Sequence, residues 1–374
     1  MSWSDFDRMA MSRALAEAAK GRGWVEPNPM VGAVVARDGA IVASAHHERF
    51  GGPHAEVLAL AQAGEGARGG VLYVTLEPCC HHGKTPPCTD LVLASGVARV
   101  VAAMSDPFPQ VAGQGLAILS EAGLDVSVGL EGAAARALNA PYLKRLFTGR
   151  PHVLAKWAMT LDGKAATASG DSRWISNETS RAVVHRTRGV MDAILVGVGT
   201  VLADDPELTA RPPGPRVAAR IVLDPEASIP LSSRLVNSAR DTPLVIAVNE
   251  RASESTRRRL AERGAQILSF EGSGRIPIGP LLDELGRRGD TNLLVEGGGR
   301  VLGSFLDDAA VDAVDVFIAP LIEGGDNPKS PARGRGVDLM RLATRLERVQ
   351  TEILGDDLRI QGWFPQPWRM RAGL

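Results

Sequence analysis

His54, Cys79 and Cys88 constrain this chain more than any other feature. The chain has three cysteines in 374 residues, and two of them stand with a histidine at spacings that can close around one zinc ion. Three protein ligands leave the fourth tetrahedral position open to water, which is the catalytic arrangement. His54 lies at the start of a helix-like run, Ala55–Ala63, and Cys79 follows a strand-like run, Gly70–Leu76. A helix start beside a strand end also favours the thiolate form of cysteine. Glu56, two residues after His54, is not needed as a ligand and is free to move protons. A closed, purely structural site would need a fourth ligand, which Cys80, His81 or His82 could supply. Cysteines can also be plain buried apolar residues.

Composition excludes several classes. The formal net charge is -1, from 42 basic and 43 acidic residues, so the chain lacks the basic excess of a polyanion binder. The Arg257–Arg259 run reads as a solvated helix face. Three cysteines make no disulfide framework in a chain this long, and thiolate ligands suit a reducing compartment. The N-terminus has no apolar run followed by a cleavage site, and no apolar stretch is long enough to span a bilayer. A cytoplasmic enzyme of small molecules, with no nucleic-acid or membrane partner, is the expectation.

The first part of the chain alternates element types. Met9–Lys20, Ala55–Ala63, Thr89–Ser95 and Gly115–Ala122 read as helices. Val31–Val35, Ile41–Ala45, Gly70–Leu76, Val97–Met104 and Leu124–Val128 read as strands. Arg136–Arg150 reads as one connecting helix ended by Gly149 and Pro151. A second pattern follows, with strands at His152–Trp157, Ala193–Val198, Arg220–Leu223, Leu244–Val248, Ala265–Leu268 and Asn292–Glu296. Its helices fall at Asn177–Arg188, Ser253–Arg263, Ile278–Arg288 and Val301–Asp307. Strands interleaved with helices imply α/β architecture with largely parallel sheets. The boundary falls near Gly149, giving domains 1–148 and 149–374. Arg211–Arg216 and Gly324–Gly336 read as loops.

His54-x-Glu56 with Pro78-Cys79 is the signature of zinc-dependent nucleobase deaminases. The segments PNPMVGAVV (27–35), GGPHAEVLAL (51–60), YVTLEPCCHHGKTPPC (73–88) and ARVVAAMSDPFPQVAGQG (98–115) resemble the bifunctional deaminase–reductases of riboflavin biosynthesis. The long insert between the cysteines is specific to that family, where other nucleobase deaminases use a tight P-C-x-x-C. The resemblance continues through KWAMTLDGKAA (156–166), SGDSRWIS (169–176), DAILVGVGTVLADDPELTAR (192–211) and LLVEGGG (293–299).

What the resemblance implies is a cytidine-deaminase-like α/β/α sandwich followed by a dihydrofolate-reductase-like α/β domain. The first would deaminate 2,5-diamino-6-ribosylamino-4(3H)-pyrimidinone 5′-phosphate. The second would reduce the ribosyl group to a ribityl chain with NADPH. His54, Cys79 and Cys88 would hold one zinc, with Glu56 as general acid–base. Asn28, which also suits a turn between two prolines, would bind the pyrimidine, and Lys84 the phosphate. Cys80 and Phe108 depart from the family's usual small polar residue and asparagine. In the second domain Ala158, Trp174, Thr200, Asp204 and the loop Gly298, Gly299, Arg300, Val301, Leu302, Gly303 and Ser304 would contact NADPH. Ser172, Arg188, Leu208, Arg211 and Glu296 would contact the substrate, with Lys156 near the reacting carbon. The family also implies a homodimer or higher oligomer. By themselves the glycine-rich stretches at 197–200 and 296–304 read as tight turns rather than nucleotide sites, since neither is a G-x-G-x-x-G fingerprint.

Overall fold

The computed structural model describes residues 3–81, 86–272, 274–326 and 329–373. Helix α1 (Asp5–Ala19) begins at Ser4, whose hydroxyl accepts from the Asp7 amide. The Asp7 carboxylate accepts in return from the Ser4 amide at 2.9 Å, a reciprocal cap that satisfies two amides left without helical partners. There follow β1 (Gly32–Arg37), β2 (Ala40–His46), α2 (Ala55–Ala63), β3 (Val71–Val74), α3 (Cys88–Ser95) and β4 (Arg99–Ala102). Helix α4 (Gln114–Glu121), β5 (Asp125–Val128), α5 (Gly132–Leu138) and α6 (Ala140–Thr148) complete the series.

These strands form one sheet in the order β2-β1-β3-β4-β5. The strands β3, β4 and β5 run parallel, while β1 is antiparallel to both neighbours. The sheet is thus mixed rather than largely parallel. Asp38 and Gly39 both take positive φ, and such a two-residue turn joins strands only antiparallel. The expected single helix over 136–150 is two helices. Asn139 separates them, its side chain accepting from the Met30 amide at 2.7 Å and donating to the Met30 carbonyl at 2.9 Å.

The second unit contains β6 (His152–Thr160), α7 (Glu178–Arg188), β7 (Ala193–Gly197), α8 (Val198–Asp204), β8 (Ala219–Leu223), α9 (Arg234–Asn237) and β9 (Leu244–Asn249). It continues with α10 (Glu254–Glu262), β10 (Gln266–Phe270), α11 (Ile278–Arg287), β11 (Asn292–Val295), α12 (Gly299–Asp307), β12 (Ala313–Ala319), β13 (Glu347–Leu354) and β14 (Asp357–Trp363). The sheet order is β10-β9-β8-β7-β11-β6-β12-β14-β13. It is parallel from β10 to β12 and ends in an antiparallel hairpin. One face packs Leu281, Leu285, Leu302 and Phe305 of α11 and α12 against β6, β11 and β12. The other packs Val201, Leu235, Val236 and Leu260 of α8, α9 and α10. Each fully buried side chain of this kind contributes about 1.5–3 kcal/mol. Strand β12 and the β13–β14 hairpin are additions to the six strands read from sequence.

Helix α13 (Pro367–Arg371) ends the series. The chain divides into two compact units, and the segment from Pro367 belongs with the residues up to Thr148, while Gly149–Gln366 forms the other. The sequence reading assigns this segment to the second domain. Trp368, 5% exposed, is the apolar side chain that anchors α13. Among the described residues no helix is long and apolar enough to cross a membrane.

Candidate active sites

His54 occupies the N-cap position of α2 in extended geometry and makes no side-chain cap bond, so its ring is free to serve elsewhere. Cys88 opens α3 and Cys79 lies in the loop after β3. The His54 Nδ1 is 3.2 Å from Cys88 Sγ and 3.5 Å from Cys79 Sγ. The three ligand atoms lie within 4.8 Å of one another. Zinc–sulfur and zinc–nitrogen bonds in a tetrahedron separate ligand atoms by about 3.5–3.8 Å, so the set fits that ion. Of the alternatives among the described residues, Cys80 turns its Sγ to the Gln110 carbonyl, and His81 packs on Phe108. His82 and Lys84 lie outside the described residues.

Glu56 is 3% exposed, and its Oε2 is buried without a hydrogen-bond partner. Burial pushes its carboxyl up to about 7. The hydrogen bond with Cys79 raises the His54 imidazole, and hydrogen bonding from Cys88 lowers the Cys79 thiol. Asn28 lies half-buried in the turn preceding β1.

Two residues were not foreseen from sequence. His47, 2% exposed, donates from Nδ1 to the Pro53 carbonyl at 2.9 Å. A carbonyl only accepts, so the proton sits on Nδ1 and the buried Nε2 presents a lone pair with no partner. The ring stands edge-on to His54 at 5.4 Å, and burial pushes its pKa down. Glu77 accepts from the amides of Asp106, Gly113, Gly115 and Leu116 at 2.9–3.3 Å. This carboxylate ties the 106–116 loop to the segment carrying Cys79. A Cβ on Gly115 would stand 2.1 Å from the Pro78 carbonyl, so only glycine fits there. The sole sequence signal for Glu77 is its place in the Glu-Pro-Cys run.

In the second unit Glu296 follows β11, and β11 pairs with β6, which carries Lys156. Arg188 grips Glu296 through Nε and Nη2, both at 2.6 Å, and reaches the Thr209 carbonyl at 3.3 Å. These bonds use three of the five guanidinium N–H groups, so Arg188 orients Glu296 and keeps one donor on each Nη. Burial holds the Lys156 ammonium below the ordinary lysine value, opposed by Glu296. His185 also donates to the Thr209 carbonyl. Arg211 is exposed and paired with Glu207. Leu208 takes φ 55° with its side chain in the core, so only its main chain can reach a ligand.

The first turns of α8 and α12 lie side by side, since a Cβ on Gly298 would sit 3.4 Å from Thr200 Oγ1. Helix α12 begins after Gly298, and its first turn holds no acidic side chain. Its first amides lack helical partners, and a cofactor diphosphate fits such an end. Arg300 is exposed, whereas Leu302 points into the core. Trp174 is 68% exposed beneath the Arg181 guanidinium at 4.5 Å. Arg173 donates to the Asp204 carbonyl at 2.6 Å. Ser172 is half-buried in the same loop, and Ala158 lies half-buried on β6.

A His–Cys–Cys cluster beside a buried glutamate, joined to a second α/β unit, defines a deaminase-type zinc domain coupled to a reductase domain. The chain matches the cytidine and deoxycytidylate deaminase zinc-binding region over residues 4–104 and the RibD C-terminal domain over residues 151–360. It is 42% identical to riboflavin biosynthesis protein RibD of Aquifex aeolicus, covering 95% of this chain and 98% of that one. Identity to the Escherichia coli K12 protein of the same name is also 42%, over 86% and 89%. The solved structure of Acinetobacter baumannii RibD superposes with TM-score 0.83 at 33% identity, over 96% of this chain and 99% of that one. A Thermotoga maritima diaminohydroxyphosphoribosylaminopyrimidine deaminase/5-amino-6-(5-phosphoribosylamino)uracil reductase gives 0.82 at 34%, over the same shares. The chain belongs to the RibD family of bifunctional deaminase–reductases of riboflavin biosynthesis, whose cofactors are zinc and NADPH.

Proposed function

We propose that the first unit hydrolytically removes the 2-amino group of 2,5-diamino-6-ribosylamino-4(3H)-pyrimidinone 5′-phosphate. The second unit then reduces the ribosyl group of the product to a ribityl chain. The observation that carries this reading is the convergence of three ligand atoms within 4.8 Å beside a buried carboxyl held near 7.

His54, Cys79 and Cys88 hold the zinc. When bound, zinc supplies the Lewis acidity that makes water a nucleophile at neutral pH. Glu56, poised near 7, takes one proton from the attacking water and gives it to the ring, then moves the remaining hydroxyl proton to the amino group, which leaves as ammonia. Asn28 and Lys84 bind the pyrimidine and the phosphate, and the His47 Nε2 offers an acceptor beside His54.

In the second unit NADPH, when bound, supplies the hydride. Ala158, Trp174, Thr200, Asp204 and the Gly298–Ser304 turn contact that cofactor. Ser172, Arg188, Arg211, Glu296 and the Leu208 main chain contact the substrate, with Arg188 also fixing Glu296 and Lys156 placing a cation beside it. The enzyme acts in the cytoplasm as a homodimer or higher homo-oligomer.

A coupled assay tests this. Zinc-loaded protein given the diaminopyrimidinone ribosyl phosphate releases ammonia and oxidises NADPH in equal amounts. Ammonia without NADPH loss would remove the reductase assignment, and neither signal would remove the substrate.

A further inference from the structure

A cavity of about 290 Å³ opens in the first unit at the carboxyl ends of β4 and β5. Its walls include Met104 and Ser105 after β4, Val128 at the end of β5, Arg136 of α5, Phe147 of α6 and Arg371 of α13. His54, Glu56, Cys79 and Cys88 do not line it. The carboxyl ends of parallel strands are where open α/β sheets leave room for ligands. Ser105 and Pro107 line the cavity on either side of Asp106, whose amide donates to Glu77 at 3.0 Å. The cavity thus borders the loop that Glu77 ties to the segment carrying Cys79.

Two arginines line this cavity, and no acidic side chain among the described residues does. Arg136 and Arg371 pair with no carboxylate among the described residues. By contrast Arg150, Arg188, Arg216 and Arg359 each meet one. The Arg136 Nε is buried and makes no hydrogen bond, and a buried donor left unpaired is costly. The same guanidinium is held in place. A Cβ on Gly132 would stand 3.1 Å from its Nη1, and one on Gly373 3.5 Å from its Nε. It lies between the first turn of α5 and the residues that follow α13. A cation fixed before binding loses less freedom when a ligand arrives.

The chemistry of the walls selects the ligand. The guanidinium fork matches the oxygens of a phosphate group. Two such cations balance the charge of about −1.5 to −2 that a phosphate monoester carries at neutral pH. The exposed Ser105 hydroxyl adds a donor. Met104, Val128 and Phe147 make the other walls apolar, so the phosphate carries an organic group. That group is small, because the volume stands at the lower end of the roughly 300–1,000 Å³ of small-molecule pockets.

We propose that this cavity binds a small organic phosphate monoester, its phosphate between Arg136 and Arg371 and its organic group against Phe147. The site is separate from both reaction centres. It exists because α13, from the far end of the chain, belongs with the first unit. Calorimetric titration of phenyl phosphate, and of inorganic phosphate, into the full zinc-loaded chain tests this. Phenyl phosphate should bind saturably and more tightly than inorganic phosphate. Arg136→Met and Arg371→Met should each weaken it by about 10-fold or more, the effect of losing a charged hydrogen bond, with unchanged circular dichroism. In the wild-type chain, hydrogen exchange at residues 103–107, 128–136 and 368–372 should slow on saturation, which separates this cavity from other phosphate sites. No saturable binding would overturn the site. So would binding that both variants leave intact, with exchange at those residues unchanged. Equal affinity for inorganic phosphate would overturn the organic part of the ligand.

Discussion

Arg188 holds Glu296 by two parallel hydrogen bonds of 2.6 Å between positions 108 residues apart. Their side chains are 15% and 6% exposed. Helix α7 presents the arginine and the end of β11 the glutamate. Removing one partner of a buried pair strands the other charge and costs about 3–5 kcal/mol. Arg188→Met should lower the urea midpoint of the second unit by a comparable free energy. A change below about 0.5 kcal/mol, the usual effect of a surface substitution, would show that the pair is not buried in solution.

Glu56→Gln should retain one zinc per chain while deamination falls by about 10²–10⁴-fold. NADPH oxidation on supplied deaminated intermediate should persist. Joint loss of both activities in a folded variant would contradict two independent sites.

Glu77→Ala leaves four backbone amides without their acceptor. Each buried amide left unpaired costs about 1–3 kcal/mol. The variant should be destabilised by at least about 2 kcal/mol. Zinc affinity should also fall by roughly 10–100-fold, the usual effect of losing a group that orients ligands. Competition with a chelator and thermal unfolding check the two effects separately. Unaltered zinc affinity would separate Glu77 from the metal site.

Asp7 should make stability depend on pH. Burial pushes its carboxyl up, but bonds from Ser4 and Tyr73 and the charge of Arg99 outweigh this and hold it below its ordinary 3.8. A carboxyl lowered on folding contributes stability that is full above 3.8 and lost as pH falls through the lower folded value. Asp7→Asn should therefore be less stable than wild type at pH 7, with the gap closing below pH 3.8. A gap independent of pH would mean the loss is steric.

Trp368→Ala should destabilise the protein by about 3–5 kcal/mol, the usual cost of truncating a buried tryptophan. The loss should appear in unfolding of the unit that ends at Thr148, followed by zinc release, although the residue lies at the far end of the chain. Unchanged zinc release on heating would place its packing energy elsewhere.

The parallel strands were legible because burial on both faces writes continuous apolar runs, as in Ala193–Gly197 and Leu244–Asn249. Strand β12 was not, since Asp315 interrupts it. That aspartate is buried and held by Arg359 from β14. Strand β13 leaves seven of its eight residues exposed and so carries little apolar signal. The helix break at Asn139 was also hidden, because it answers to Met30, 109 residues away.

The sequence by itself determined the metal-ligand types, the proton-moving glutamate beside them and the alternation of helices and strands. These depend on residue chemistry and on short spacings. Tertiary structure decided that His47 presents a bare nitrogen next to His54 and that Glu77 ties down the 106–116 loop. It also committed Arg188 to Glu296 and returned the chain's end to its first unit. Apart from the His47–His54 contact, these depend on groups far apart in sequence meeting where water is excluded. There an unpaired charge or amide is costly enough to fix its partner, and no local pattern encodes that meeting.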